Sequence, residues 1–169
     1  KYWHLEVAQS VTSVAQQIKN AEDNVQQSID SAREKLLEIR NQRIRPGRDE
    51  KILTSWNALM IKGLIRAGIV FQREEWIEAA QHAIDFIQSN LWKNNRLLAT
   101  YKDGKSHLNA YLDDYAFLLD SLIEMLQADF RQSDLDFAQA LAEVMLNQFE
   151  DKHLGGFFFT SHDHEKLIH

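Results

Sequence analysis

Apolar residues recur at three- and four-residue spacing through five successive stretches of this chain, and the stretches alternate in character. Residues 23–43, 74–91 and 134–149 each carry a single apolar stripe, whereas residues 50–68 and 113–128 are apolar around most of their circumference. The spacing is that of an α-helix with one or more buried faces. Alternation of one-faced with all-round apolar helices is what the outer and inner layers of a double ring of helices require. One Pro and six Gly in 169 residues are too few for a turn-rich β protein, which leaves helix as the default class.

The connectors alternate as well. Those after the two inner helices are short (Gln72-Arg73 and Phe130–Gln132), and those before them are long (Asn41–Arg48 and Lys93–Leu112). With successive helices antiparallel, all long connectors and the starts of both inner helices share one end. Function in layered scaffolds collects on such loops.

At the N-terminus, Val7, Val11, Val14 and Ile18 lead into the weak helix formers Asn20-Ala21-Glu22-Asp23-Asn24. The pattern predicts a short helix, a break, and a helix over 23–43, with a coiled coil as the alternative. Pro46-Gly47 is a stop signal, and Asp49 is then placed to cap the helix over 50–68, which is expected to be largely buried. Leu97–Tyr101 reads as a short strand, flanked by turn signals at Asn94-Asn95 and Asp103-Gly104. Gly155–Thr160 reads as a turn followed by a short β-rich segment.

Composition removes several function classes. The absence of Cys excludes disulfides, thiolate zinc sites and thiol catalysis. A net charge of -6 argues against duplex nucleic acid as a partner. No apolar run approaches the roughly 20 residues of a membrane helix, so no membrane partner is expected. Lys1-Tyr2-Trp3-His4 is not followed by a signal-peptide core, which makes a cytoplasmic location the expectation.

Two constellations open the inner helices. In Asp49-Glu50-Lys51 with Trp56-Asn57, the structural reading is capping and packing. The functional reading has Asp49 and Lys51 facing a cavity floored by Trp56. Asn57, an amide inside an apolar helix, must find partners or cost free energy. In Leu112-Asp113-Asp114-Tyr115, one carboxylate suffices to cap, and the surplus one suits acid–base chemistry or hydrogen bonding to hydroxyls. His107 lies in a long connector and is a candidate proton donor, while His82 reads as a surface or packed polar residue of a helix. His162-Asp163-His164 and His169 lack the spacing of a helical ligand pair, and no metal or cofactor is expected. Gly155-Gly156 is not followed by the Lys and helix of a phosphate loop, and no G-x-S-x-G elbow is present.

Four motifs occur in order. They are Arg43-x-Arg45-Pro46-x-x-Asp49-x-Lys51, Ser55-Trp56-Asn57-Ala58-Leu59-Met60, Leu112-Asp113-Asp114-Tyr115-Ala116-Phe117, and Gly155-Gly156-Phe157-Phe158-x-Thr160. Together they resemble the thioredoxin-domain-containing, spermatogenesis-associated protein family, over about Arg33 to Ile168. The resemblance implies an all-α fold, a partial (α/α)6 toroid of about five helices with a short β-rich C-terminal segment. Such toroids are similar to six-hairpin glycosidases and N-acylglucosamine 2-epimerases. It further implies that residues 1–169 are a single fragment of that toroid, without the family's thioredoxin-like domain and remaining hairpins. A chain without Cys carries no redox role. Open edges of such an arc imply self-association as a homodimer.

Related toroids handle sugars at the end where connectors enter the inner helices, which is where the two constellations fall. The leading expectation is therefore a carbohydrate-binding or carbohydrate-processing fragment, glycosidase-like or sugar-epimerase-like in the full-length protein. Asp114 would be acid or base and Asp49 its partner, with Lys51, Trp56, Asn57, Asp113 and Tyr115 toward a sugar-like substrate. The alternatives are a non-catalytic helical scaffold or interaction domain, and an N-terminal coiled-coil mediator.

Overall fold

The computed structural model describes residues 6–164, which divide into two compact units at Asp49/Glu50. His169 and Leu167-Ile168 lie outside the described residues.

The first unit holds α1 (Val11–Ile18) and α2 (Glu22–Asn41). Ser10 caps α1 by accepting the Ser13 N–H at 3.2 Å, and Lys19, in the left-handed region, ends it. The expected break therefore falls at residues 19–21. Ala15 and Val25 are the buried residues of this helix pair. Residues 44–49 follow without regular structure, and Asp49 is exposed there.

In the second unit the order is β1 (Ile52–Leu53), α3 (Thr54–Phe71), α4 (Glu74–Leu91), β2 (Trp92–Lys93), β3 (Arg96–Lys102), β4 (Lys105–Asn109), α5 (Leu112–Ala128) and α6 (Gln132–Gln148). α3 packs against both α4 and α5, and α5 against α6. The core runs through Ile61 and Ile65 of α3, Ile84 and Ile87 of α4, and Leu118 and Leu122 of α5. The inner positions of α3 and α5 and the flanking positions of α4 and α6 follow the alternation of the sequence. Gly68 allows the α3–α4 approach: a Cβ there would lie 2.7 Å from Ile77 Cγ1 and 3.0 Å from the Arg73 carbonyl oxygen. At the same far end of the unit Arg131 bridges helices, donating to Asp85 of α4 at 2.6 Å and to the fully buried Asp134 of α6 at 2.7 Å.

At the other end, β3 is the hub of a small antiparallel sheet, pairing with β1, β2 and β4. Both hairpin turns, Asn94-Asn95 and Asp103-Gly104, have positive φ at each central residue, the geometry that matches the twist of two-residue hairpins.

The chain is mostly helical with a small sheet, and the described residues hold six helices, the short N-terminal helix and the break after it as expected, one more than the five of the expected arc. Three expectations change. β structure lies between α4 and α5. In the described tail it is limited to one bridge, Glu150 with Phe157, because residues 151–156 form turns in which Asp151 Oδ1 accepts the His153 and Leu154 N–H groups. Asp49 does not cap α3, which begins at Thr54. Ile52 and Leu53 pair with Tyr101 and Thr100, and residues held extended by a strand cannot belong to the helix. Finally, α3 is not largely buried: Trp56, Leu59, Met60, Val70 and Phe71 are each more than half exposed. No helix among the described residues is long and apolar enough to cross a membrane.

Candidate functional site

The starts of α3 and α5 meet beside the sheet, as the connector lengths require. Thr54, fully buried, donates its hydroxyl to the Leu98 carbonyl at 2.7 Å and so pins the first residue of α3 to β3. The next residue, Ser55, donates its backbone N–H to Asp114 Oδ1 at 2.9 Å. The other carboxylate oxygen, Asp114 Oδ2, accepts the Tyr111 N–H at 3.0 Å. One side chain thus satisfies N–H groups at the starts of two helices, groups that would otherwise lack partners. Asp114 is almost fully buried, and burial pushes its carboxyl above the usual range against the opposing pull of these two N–H groups.

Tyr115 is also buried. Its phenol oxygen accepts the Leu97 N–H at 2.9 Å, and its ring packs against Phe149 at 5.3 Å. Asn57 finds its partner locally, donating Nδ2–H to the Leu53 carbonyl at 2.8 Å. Asp114 thus ties α5 to α3 and Tyr115 ties α5 to β3, while the Asn57 amide is satisfied at the start of α3 itself.

Asp113 differs from its neighbour. Its Oδ1 is buried and has no hydrogen-bond partner among the described residues. Trp56 is 73% exposed on the first turn of α3, one residue beyond Ser55. Lys51 is exposed just ahead of β1, and Asp49 belongs to the first unit. Further along the α3–α5 seam, Lys62 reaches Asp120 at 2.5 Å and Arg66 pairs with Glu124.

The tail closes over this end. Leu112 N–H donates to the Phe159 carbonyl at 3.0 Å, and the Tyr111 and Phe159 rings stack at 5.3 Å. Arg96, which the sequence reading passed over, reaches from β3 to Asp163 and Ser161. That guanidinium holds the Asp163 carboxyl below the usual carboxylate range. The His162 ring lies 3.2 Å from the Glu150 carbonyl oxygen. Among the described residues no cluster of His, Asp and Glu is arranged to hold a metal ion. Beside β3 and β4 opens a cleft of about 390 Å³ whose walls include Asn90, Lys93, Tyr101, Ser106 and His107. Its signal in the sequence was the polar stretch itself. The polar strand β4, which carries Ser106 and His107, has no apolar alternation to announce it.

No family model matches the chain. Human spermatogenesis-associated protein 20 is 29% identical over 140 residues, which are 77% of this chain and 18% of that protein. The rat protein of the same name is 30% identical over 135 residues, 74% of this chain and 17% of its own length. The chain thus spans less than a fifth of the curated relatives it matches. Among solved structures, cellobiose 2-epimerase from Spirochaeta thermophila superposes with a TM-score of 0.57 at 16% identity, covering 63% of this chain and 28% of the epimerase. The cellobiose 2-epimerase of Bacillus thermoamylovorans gives 0.60 at 13% identity, covering 68% and 34%. The shared feature is the fold: layered helical hairpins of an epimerase-type toroid.

Proposed function

We propose that the second unit is part of a toroid that binds a carbohydrate or similar small polar molecule at the end where α3 and α5 begin, and that a sugar-epimerase-like or glycosidase-like reaction belongs to the longer protein. The observation that carries this reading is the buried, unpartnered Asp113 Oδ1. A desolvated carboxylate oxygen without a donor is costly, and a sugar hydroxyl is a donor that relieves it. In this assignment Asp113 accepts from the ligand, the exposed Trp56 ring offers an apolar platform, and Lys51 and Asn57 flank them. Asp114 and Tyr115 position these groups rather than meet the ligand. The epimerase-type fold supports the substrate class.

A second reading, a non-catalytic helical scaffold, is favoured by one specific observation: both Asp114 oxygens are occupied by backbone N–H groups. A thermal-shift panel of mono- and disaccharides, cellobiose included, separates the two. The first reading expects at least one sugar to raise the melting temperature by about 2 °C or more at concentrations well above Kd, and Asp113→Asn and Trp56→Ala to abolish the shift. A flat panel, or a shift that survives both substitutions, leaves the scaffold.

A further inference from the structure

Residues 157–164 cross the start of α5 and are held there mainly by polar contacts. The Phe159 carbonyl accepts the Leu112 N–H at 3.0 Å, and the His162 N–H donates to the Gln148 carbonyl at 2.8 Å. The Phe158 N–H donates to the Phe149 carbonyl at 2.7 Å. Both terminal nitrogens of Arg96 donate to Asp163, one to each carboxylate oxygen, and Nη2 also reaches Ser161 Oγ at 3.3 Å. The Tyr111 ring completes the contact, stacked on Phe159 and 5.4 Å from the His164 ring.

Hydrophobic burial adds little to these contacts. Residues 152–159 are exposed without interruption, Phe157, Phe158 and Phe159 among them, and Ser161 is the one buried residue of 157–164. A segment without an apolar anchor opens at a far lower free energy than the unit that carries it unfolds. The Arg96–Asp163 pair is the strongest of its contacts, because it is bidentate and charged on both sides, and the Arg96 side chain is only 20% exposed. A pivot lies beside the segment. Gly155 and Gly156 have φ of 79° and 84°, values that glycine adopts freely and other residues rarely do. They separate the segment from Phe149, which is fully buried at the end of α6.

We propose that residues 157–164 form a strap, latched by Arg96, that opens as one unit about Gly155-Gly156 while α3 to α6 stay folded. Closed, the strap supplies the acceptor for the Leu112 N–H, a first-turn donor of α5 that has no partner within its own helix. Open, it uncovers the Tyr111 ring and releases the Arg96 guanidinium beside the turn that carries Asp113. The start of α5 therefore has two states, and the Arg96–Asp163 pair sets the balance between them. Opening is a property of the chain alone; only its use as a gate for a ligand at Asp113 rests on the carbohydrate reading.

Native-state hydrogen exchange of the 169-residue chain, followed by NMR at low urea concentrations, tests it. The amides of Leu112, Phe158 and His162 each donate across the boundary of the strap, so their protection reports its opening. The three are expected to share one opening free energy, well below that of Leu122, which is fully buried in the middle of α5. Urea is expected to change it little, because opening exposes little new surface. Asp163→Asn, at a half-exposed side chain, is expected to raise all three exchange rates by one common factor, about tenfold or more, with circular dichroism verifying that the variant folds. Three amides as strongly protected as Leu122 would show that the segment opens only with the whole unit, which overturns the proposal. So do three amides that exchange independently of one another, or rates that Asp163→Asn leaves unchanged.

Discussion

Asp114 accepts the backbone N–H of Ser55 at 2.9 Å across 59 residues of chain, and its second oxygen accepts the Tyr111 N–H at 3.0 Å. α3 has no capping side chain of its own at Leu53, so the carboxylate from α5 fills that role. Asp114→Ala removes both acceptors and strands two N–H groups in a largely dry site. It is expected to cost about 2–4 kcal/mol in urea unfolding. A loss under about 0.5 kcal/mol would show that water satisfies those donors equally well.

The same residue gives a pH dependence with a definite sign. Burial raises the folded-state carboxyl above its unfolded value, so the folded state binds this proton more tightly. Its contribution is fully present below the ordinary carboxylate range and is lost as pH rises through the raised value. Asp163, whose carboxyl is lowered by Arg96, acts in the opposite sense, with stability lost as pH falls. The difference between wild type and Asp114→Asn isolates the first effect. Urea titrations at a series of pH values are expected to show wild type losing ground to the variant on going from acid to neutral pH. A difference constant with pH contradicts the assignment.

Local periodicity carried most of the helical architecture. α4, α5 and α6 stand within two residues of where their apolar stripes placed them, because their faces bury as an amphipathic pattern demands. The start of α3 was not legible. Its cap comes from Asp114, and its first residues are held by β3 through Thr54 and the Ile52–Tyr101 pair, contacts that no local pattern announces. β4 was missed because Lys105-Ser106-His107-Leu108-Asn109 is a mostly polar strand with no buried member. The all-round apolar character of α3 predicts burial on every side. In the structure one half of that circumference lies against α4 and α5 and the other is exposed. At the candidate site, sequence identified the surplus carboxylate at Asp113-Asp114. Only the fold shows which of the two is committed to backbone.

Gly68 and Ile77 provide a coupling test of the α3–α4 contact. An alanine at 68 sets its Cβ 2.7 Å from Ile77 Cγ1, a separation that forces a shift despite the gain in helix propensity. Gly68→Ala is expected to cost about 1–3 kcal/mol. Ile77→Ala removes the atom in the way, so the cost of Gly68→Ala in that background is expected to fall by about 1 kcal/mol in a double-mutant cycle. Strict additivity would place the limiting contact instead at the Arg73 carbonyl, 3.0 Å from the same Cβ.

Adjacent carboxylates with opposite roles predict opposite responses to the same chemical change. Asp114→Asn puts an amide NH₂ where an acceptor is needed and sets donor against donor, for an expected loss of about 2–3 kcal/mol. Asp113→Asn discharges a group whose Oδ1 is buried without a partner, which relieves a desolvation cost. Both substitutions also forgo a favourable charge in the first turn of α5, about 0.3–1 kcal/mol each, so this contribution cancels in the comparison. Stability of Asp113→Asn is therefore expected to lie within about 1 kcal/mol of wild type, on either side. Parallel urea unfolding of the two variants at neutral pH reads the difference directly. If Asp113→Asn is the more damaging of the two, its oxygen has a structural partner and the ligand-accepting role assigned to it falls. If it is the milder and also abolishes a sugar-induced thermal shift, the surplus carboxylate at the start of α5 is the group that the ligand meets.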